Sequence, residues 1–349
     1  MKKKRTRLKD IAEKLGVTPA TVSRALRNRI EIGAETREKI QALAREMHYH
    51  PNLNASHLRT QRNFTIGVVV PRIVHEYMAS ILRGILEEAH VHNYQVIISV
   101  TDHLYEREVM AIETFSAGFV DGILLCVSNH TRDFSHVEQL KSEGIPFVLF
   151  DKDISKVEAP RVIVDDYKGA MMAVEHLIEQ GFVHIAHIQD NLVNHSSQKR
   201  MKGYYSALKK HGIPKNPDFV VQLDHISIAQ SKEATLALLR AYPSIDALFG
   251  ITDEIAIGAM QAASELGRSI PREFGVVGFS NWQISSVVSP SLTTVAQPGS
   301  EMGKTATRLL IQRIEHPDTY GDRFPTKILK TKLLVRESSF REKVVICQE

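Results

Sequence analysis

The segment Thr18-Pro19-Ala20-Thr21-Val22-Ser23-Arg24 sets three hydroxyls and a guanidinium within two turns of one short helix. Val22, Ala25 and Leu26 fall on a buried stripe, which leaves Pro19, Ala20, Thr21, Ser23, Arg24 and Arg27 facing outward. An outward arginine suits a bidentate hydrogen bond to guanine O6 and N7, worth about 1–3 kcal/mol of base discrimination. Pro19 and Ala20 are small and apolar. They can pack on a thymine methyl but cannot donate hydrogen bonds. Pro19 also has a purely structural reading, because the first position of a helix has no use for its amide.

The elements that hold this helix can be read from their spacing. Leu8, Ile11, Ala12 and Leu15 recur at helical intervals, with Thr6 placed to cap the start and Gly16 to end the helix in a left-handed turn. Thr18 is the expected cap of the second helix. Two short helices joined by Gly16-Val17-Thr18 make a helix-turn-helix, whose second helix enters the major groove. A third helix over about 34–47, with Ile40, Leu43, Ala44 and Met47, closes a three-helix core. The charge distribution agrees. Residues 1–62 carry 15 Lys and Arg against 6 Asp and Glu, whereas the remainder carries 29 against 34, a basic head on a mildly acidic body.

LKDIAEKLGVTPATVSRALRN followed by TREKIQALAREMHYHPN resembles the N-terminal domain of the LacI/GalR family of transcriptional regulators. The resemblance implies that Pro19, Ala20 and Arg24 face base edges and that Thr18, Thr21 and Ser23 meet phosphates. It also implies that Pro51–Arg59 is a hinge helix ordering on the operator. There Leu58 matches a minor-groove wedge and Ala55 a small residue where two hinge helices approach, with Asn54 and Arg59 in the same DNA-contacting segment. An inserted leucine unstacks a base step and bends the duplex. Physically, so short a segment is not a stable helix by itself.

From Phe64 the period changes. FTIGVVVP, YQVIISV, VDGILLCV and PFVLF, then VIV, HIAHI, FVVQL, DALFGI and FGVVGF, are short apolar runs alternating with helical stretches. Such runs imply parallel strands buried by helices, in two successive α/β units with a ligand cleft between them. IGVVVP, YKGAMMAVEHLIEQGFVHIAHI, RMKGYYSAL, DALFGITDEIAIGAMQAASELGRSIPREFGVVGF and LTTVAQPGSEMG extend the resemblance to the family's two-lobed sensor domain, which is similar to periplasmic sugar-binding proteins. The expected fold class is α/β with parallel sheets behind a three-helix helix-turn-helix domain and a hinge helix. The expected domains are 1–49, 50–63 and 64–349. Lobe 1 is placed at about 64–163 and 291–326, lobe 2 at about 164–290 and 327–340. The resemblance places an effector against Arg72, Tyr77, Met78, Ser128, Asn129, Asp151 and Lys152 from one lobe. From the other it takes Asn194, Ser196, Arg200, Thr252, Asp253, Ser280, Asn281 and Trp282. Arg200 could clamp hydroxyls or an anion, and Trp282 could stack on a sugar face or fill the core. Ser280 and Thr252 depart from the family's usual Asp and Asn. With Arg72, Lys152 and Arg200 retained, that departure suggests an anionic effector.

No P-loop, HExxH, GxSxG or paired-carboxylate motif is present, so no enzyme and no cofactor or metal is expected. His184 and His187 are three apart on an expected strand and point to opposite faces, which argues against a shared metal. Two distant cysteines, Cys126 and Cys347, and the lack of an apolar span or signal segment suggest a cytoplasmic protein. The expected function is a sequence-specific regulator, most simply a repressor. It would bind a palindromic DNA operator as a homodimer under a carbohydrate-derived effector, and the tail after Leu334 carries no leucine repeat that would build tetramers. Activation, or a sensor responding to a protein partner, stays open. A periplasmic solute-binding protein is a more distant alternative.

Overall fold

The computed structural model describes residues 6–26, 31–47, 49, 62–74, 76–154, 156–190, 195–320 and 323–341. The chain divides into two compact units, Met1–Asn63 and Phe64–Glu349. Asn54, Ala55, Leu58 and Arg59 of the expected hinge helix, and Asn194 of the expected effector site, lie outside the described residues.

In the first unit α1 (Leu8–Leu15), α2 (Pro19–Leu26) and α3 (Ala34–Glu46) follow the expected spacing. Their buried stripes meet in one core of Ile11, Ala12, Val22, Ala25, Ile40 and Ala44, with Leu8, Leu15, Leu26, Leu43 and Met47 packed around it. Gly16 ends α1 at φ 64°, a left-handed conformation that costs glycine no Cβ clash. Thr6 is not the cap of α1. Arg7 occupies that position, and its N–H donates to the Asp10 carboxylate at 2.7 Å. The Thr6 hydroxyl instead donates to the Met47 carbonyl at 2.8 Å, tying the start of α1 to the end of α3.

The second unit holds two six-stranded sheets. β1 (Thr65–Val70), α4 (Glu76–Val91), β2 (Gln95–Val100), α5 (Tyr105–Thr114), β3 (Gly122–Leu125), α6 (Ser135–Ser142), β4 (Phe147–Phe150) and β5 (Arg161–Val164) build lobe 1. The chain then passes into lobe 2. There it makes α7 (Asp166–Glu179), β6 (Ile185–Asp190), α8 (His195–Lys210), β7 (Val220–Leu223), α9 (Ile228–Ala241), β8 (Ala247–Gly250), α10 (Asp253–Glu265), β9 (Gly275–Phe279) and β10 (Thr293–Ala296). α11 (Gly299–Glu315), α12 (Pro317–Tyr320) and β11 (Thr326–Leu329) return to lobe 1, and β12 (Lys332–Leu334) closes lobe 2. The first sheet runs β11-β5-β4-β3-β1-β2 and is wholly parallel. The second runs β12-β10-β9-β8-β6-β7, parallel except where β12 lies antiparallel on β10.

This topology moves two of the expected lobe boundaries. β10 pairs with β9, so the second crossing follows Ala296 rather than falling near residue 291. β11 pairs with β5, so the third crossing lies between Leu329 and Lys332 rather than at 326. Where the chain comes back, α11 packs backbone-close on α4. A Cβ built at Gly84 would meet the Ser300 carbonyl oxygen at 2.0 Å, and one at Gly303 the Ile81 oxygen at 2.1 Å. Lobe 1 is therefore locked by a late helix laid against its first one.

Candidate functional site

Two sites emerge, one on each unit. On α2, Thr18, Pro19, Ala20 and Arg24 are exposed, and Thr21 and Ser23 are half-buried on the same outward side. Thr18 opens the helix as expected. Its hydroxyl accepts from the Thr21 N–H at 3.2 Å and lies 2.9 Å from the Thr21 hydroxyl. The outward side thus offers hydroxyls and a helix N-terminus, both suited to phosphate oxygens, beside one arginine free to reach a base edge.

The second site is a cleft of about 700 Å³ between the lobes, formed where both sheets present the carboxyl ends of their strands. Lobe 1 contributes Arg72 after β1, Tyr77 and Met78 on α4, Asn129 beyond β3, and Asp151 with Lys152 after β4. Lobe 2 contributes Ser196 and Arg200 on α8, Thr252 after β8, and Ser280 with Trp282 after β9. Of the seven non-glycine residues described with positive φ, five stand at strand ends around this cleft: Asp102, His103, Asp151, Ser280 and Asn281. Left-handed backbone at side-chain-bearing residues is costly and collects where geometry is dictated by function.

Arg200 is held from three sides. Its Nε and Nη2 meet Asp166 Oδ1 at 2.8 and 2.7 Å, its Nη1 donates to the Ile251 carbonyl at 2.6 Å, and its guanidinium stacks 3.7 Å from the Phe279 ring centre. These bonds use three of its five N–H groups, so the fork faces the cleft already oriented, with donors to spare. Burial, reinforced by Asp151, pushes the Tyr77 phenol far above its ordinary range, so it remains a protonated donor. Lys152 lies 3.5 Å from Asp151. Burial works against its charge, but Asp151, Cys126 and Asp166 together raise the lysine on balance, and it stays cationic.

Three expected effector residues do a different job. Asp253 is fully buried and accepts the Trp282 N–H at 2.6 Å and the Thr294 hydroxyl at 2.5 Å. Asn281 accepts from Arg336 Nη2 at 2.8 Å. Both fix the left-handed turn that aims Ser280 and Trp282 into the cleft. Ser128 faces a neighbouring cavity, with its N–H donated to Glu108 at 2.7 Å and its hydroxyl to the His103 carbonyl at 3.0 Å. Thr252 lines the cleft while its hydroxyl caps α10 at the Ile255 N–H, 3.3 Å away. Trp282 is half-buried and lines the cleft wall.

The comparisons with known proteins agree with this geometry. Residues 7–52 match the family model described as bacterial regulatory proteins of the lacI family, and residues 63–332 match that of periplasmic binding proteins and the sugar-binding domain of the LacI family. The chain belongs to the LacI family. It is a DNA-binding transcriptional regulator with a ligand-sensing second unit. The ribose operon repressor of Halalkalibacterium halodurans is 33% identical over 96% of this chain and 97% of its own length. A transcriptional regulator CelR–cellobiose complex is 26% identical, covering 96% of this chain and 100% of that one, with TM-score 0.71. The lac repressor dimer bound to operator and an anti-inducer shares the fold at TM-score 0.84 and 24% identity, with 97% and 100% covered.

Within the LacI-family cleft, sequence reasoning missed Asp102 and His103 after β2, Asp190 as the last residue of β6, Asp224 and His225 after β7, Glu254 on α10 and Gln297 after β10. All but Glu254 stand at or just beyond the carboxyl end of a strand. Applying the strand-end rule to every strand, and not only to those with a family counterpart, finds them. They change the electrostatics. Five lining carboxylates, Asp102, Asp151, Asp190, Asp224 and Glu254, face three cations, Arg72, Lys152 and Arg200. Burial, then Lys152 and Arg72, lowers His103 to about 4, so that histidine adds no charge near neutral pH. His187 stands apart from the site. It is fully buried, stacked between Tyr204 and Phe249 at 5.0 and 5.1 Å, with Nδ1 bonded to the Phe249 carbonyl at 2.9 Å.

Proposed function

We propose that this regulator is a repressor whose operator affinity is set by a neutral, polyhydroxylated effector, a sugar or close derivative, bound between the lobes. The observation that carries the reading is the cleft's charge pattern. Its carboxylates outnumber its cations even after these ion pairs are counted: Lys152 offsets Asp151, Arg107 offsets Asp102 and Asp166 offsets Arg200, which leaves the count at Asp190, Asp224 and Glu254 against Arg72. Carboxylates accept hydrogen bonds from hydroxyls, whereas an anion would meet more repulsion than attraction. The departure at Ser280 therefore does not point to an anion in this cleft, because Asp190 and Asp224 supply acceptors from neighbouring strand ends. The cellobiose held by one relative and the ribose named for another belong to the same chemical class.

The lobes touch across the cleft through Glu76, which accepts the Gln283 N–H at 2.5 Å, and through Lys199 and Asp153 at 2.6 Å. An effector bridging the same gap shifts the balance between lobe arrangements by its difference in affinity for them, and no more. Edge strand β2 and adjacent α4 expose Ile97, Ile98, Val100, Leu86 and Val91, an apolar surface suited to a second copy of the chain. A homodimer would read a palindrome with two α2 helices. We read the protein as cytoplasmic and without catalytic activity; no described helix is long and apolar enough to cross a membrane.

Calorimetry on the full chain tests the effector class. Neutral sugars should include a binder whose heat disappears in Asp190→Asn or Asp224→Asn. Anionic sugars bound in this cleft, with affinity lost in Arg72→Gln, would overturn the reading. Selecting bound genomic fragments in the presence of metabolite pools then yields operator, effector and sign together.

A further inference from the structure

A second cavity, of about 250 Å³, adjoins the effector cleft. The two share Asn129, Lys152 and Ser196 as a common wall, but their chemistry differs. The smaller cavity has an apolar interior from Val127, Phe134 and Ile154, and Arg132, Lys152 and Lys156 supply positive charge. Its single lining carboxylate, Asp153, is already held by two other cations, Arg161 Nη1 at 2.8 Å and Lys199 Nζ at 2.6 Å. The main cleft is thus acidic and the side pocket cationic.

The pocket is also rigidly built. Glu108, fully buried, accepts the Ser128 N–H at 2.7 Å and the Thr131 hydroxyl at 3.0 Å, and lies 2.8 Å from His136 Nε2. A buried carboxylate is costly unless every lone pair is used, and here the bonds hold the turn from Ser128 to Thr131 that lines the pocket. Arg132 is steadied by the Asn129 and Thr131 carbonyls at 3.0 and 3.4 Å. Lobe 2 closes the far side with Ser196 and Gln198 from the first turn of α8.

We propose that this side pocket is a second ligand site, taking a compact organic phosphate whose small ring or chain rests on Phe134 and Ile154 while its anionic end meets Arg132 and Lys156. The volume admits a body of monosaccharide size and nothing much larger. Its occupant touches both lobes beside the Lys199–Asp153 bridge, so it biases the same lobe equilibrium as the main effector through separate contacts. The chain would then register a neutral ligand and a phosphorylated one in adjoining chambers.

Calorimetry on the full chain with phenyl phosphate as probe, and benzyl alcohol as its uncharged counterpart, tests the site. Phenyl phosphate should bind at one site, about tenfold more tightly than benzyl alcohol. Lys156→Gln and Arg132→Gln should each weaken it about fivefold or more, while Arg72→Gln in the main cleft leaves it within about twofold. Lys156 is exposed and its replacement spares the fold; melting curves check that Arg132→Gln does too. Loss that follows Arg72→Gln would place the anion in the main cleft and overturn the proposal. So would affinity unchanged in both side-pocket variants, or no binding at millimolar probe. A neutral sugar whose binding survives both side-pocket variants keeps the main-cleft reading intact whichever way this test falls.

Discussion

The two functional regions place their chemistry at opposite depths. On α2 the residues expected to meet DNA lie exposed or half-buried on the outward side, where Thr18 and Thr21 are bonded to each other. Around the cleft the corresponding residues are buried or half-buried and hydrogen-bonded from behind: Asp166 under Arg200, Asp253 under Trp282, Arg336 beneath Asn281. The difference follows from the ligands. DNA is a rigid polyanion that brings its own shape, so an exposed arginine on a small helical core suffices. The neutral ligand proposed for the cleft has little charge to grip, so the protein must preorganise donors and acceptors around it. Recognition and stability should therefore separate in the head and coincide in the body.

The largest test of that contrast is Asp166→Ala. It leaves the Arg200 guanidinium nine-tenths buried without its carboxylate. Breaking a buried pair on one side costs about 3–5 kcal/mol, so denaturant unfolding of the second unit should shift by that order and effector binding should fall with it. Loss of binding with stability unchanged would mean the body behaves like the head.

Next in size is a pH effect confined to the body. Burial, only partly offset by the Phe249 carbonyl, lowers His187 to about 4. A histidine whose folded pKa lies below its unfolded value stabilises fully above about 6.5, and that contribution is lost as pH falls towards 4, on the order of 3 kcal/mol. Asp253, pushed up to about 6 by burial, pulls the opposite way over the same range. The difference between wild type and His187→Phe isolates the histidine. The gap in unfolding free energy should move in the variant's favour as the solution is acidified, and a gap independent of pH would refute the neutral stacked imidazole.

The contrast also decides what could be read from sequence. The head was legible almost residue by residue, because helical period, Gly16 and the Thr18 cap are local signals; only the Thr6 assignment failed, displaced by a tertiary bond to Met47. The strands of the body were legible too, since parallel buried strands are continuous apolar runs. Their sheet membership was not. Whether β10 and β11 join one lobe or the other depends on which edge is vacant, and no local pattern encodes that. In the cleft, position at a strand end was legible but orientation was not. Asp253 and Asn281 were placed correctly along the chain, yet they serve the turn behind the site. The pairing of Arg200 with Asp166 and of Lys152 with Asp151 was hidden in the sequence, where the three cations could only be counted.

Arg24→Ala sharpens the comparison from the other side. If Arg24 reads guanine, the variant should lose about 1–3 kcal/mol of discrimination at one operator base pair and relax the preference there. Thermal unfolding should stay within about 0.5 kcal/mol of wild type, because an exposed side chain away from core and caps contributes little. A uniform loss across all sequences, with a shallower salt dependence, would instead make Arg24 a phosphate contact.

The smallest effect tests the one place in the head where the separation should fail. Thr18 caps α2, and the same hydroxyl is the one expected to meet a DNA phosphate. Thr18→Ala should cost about 1 kcal/mol of local stability, read as faster hydrogen exchange at the amides of α2 in the full chain, and should also weaken DNA binding. Thr18→Asp divides the two roles. A carboxylate caps at least as well as a hydroxyl and favours the positive end of the helix, so exchange should return to the wild-type rate. The same carboxylate repels phosphate, so DNA binding should fall below that of the alanine variant. If Thr18→Asp restores both properties, Thr18 is a cap alone, and recognition in the head rests entirely on side chains that play no part in holding it together.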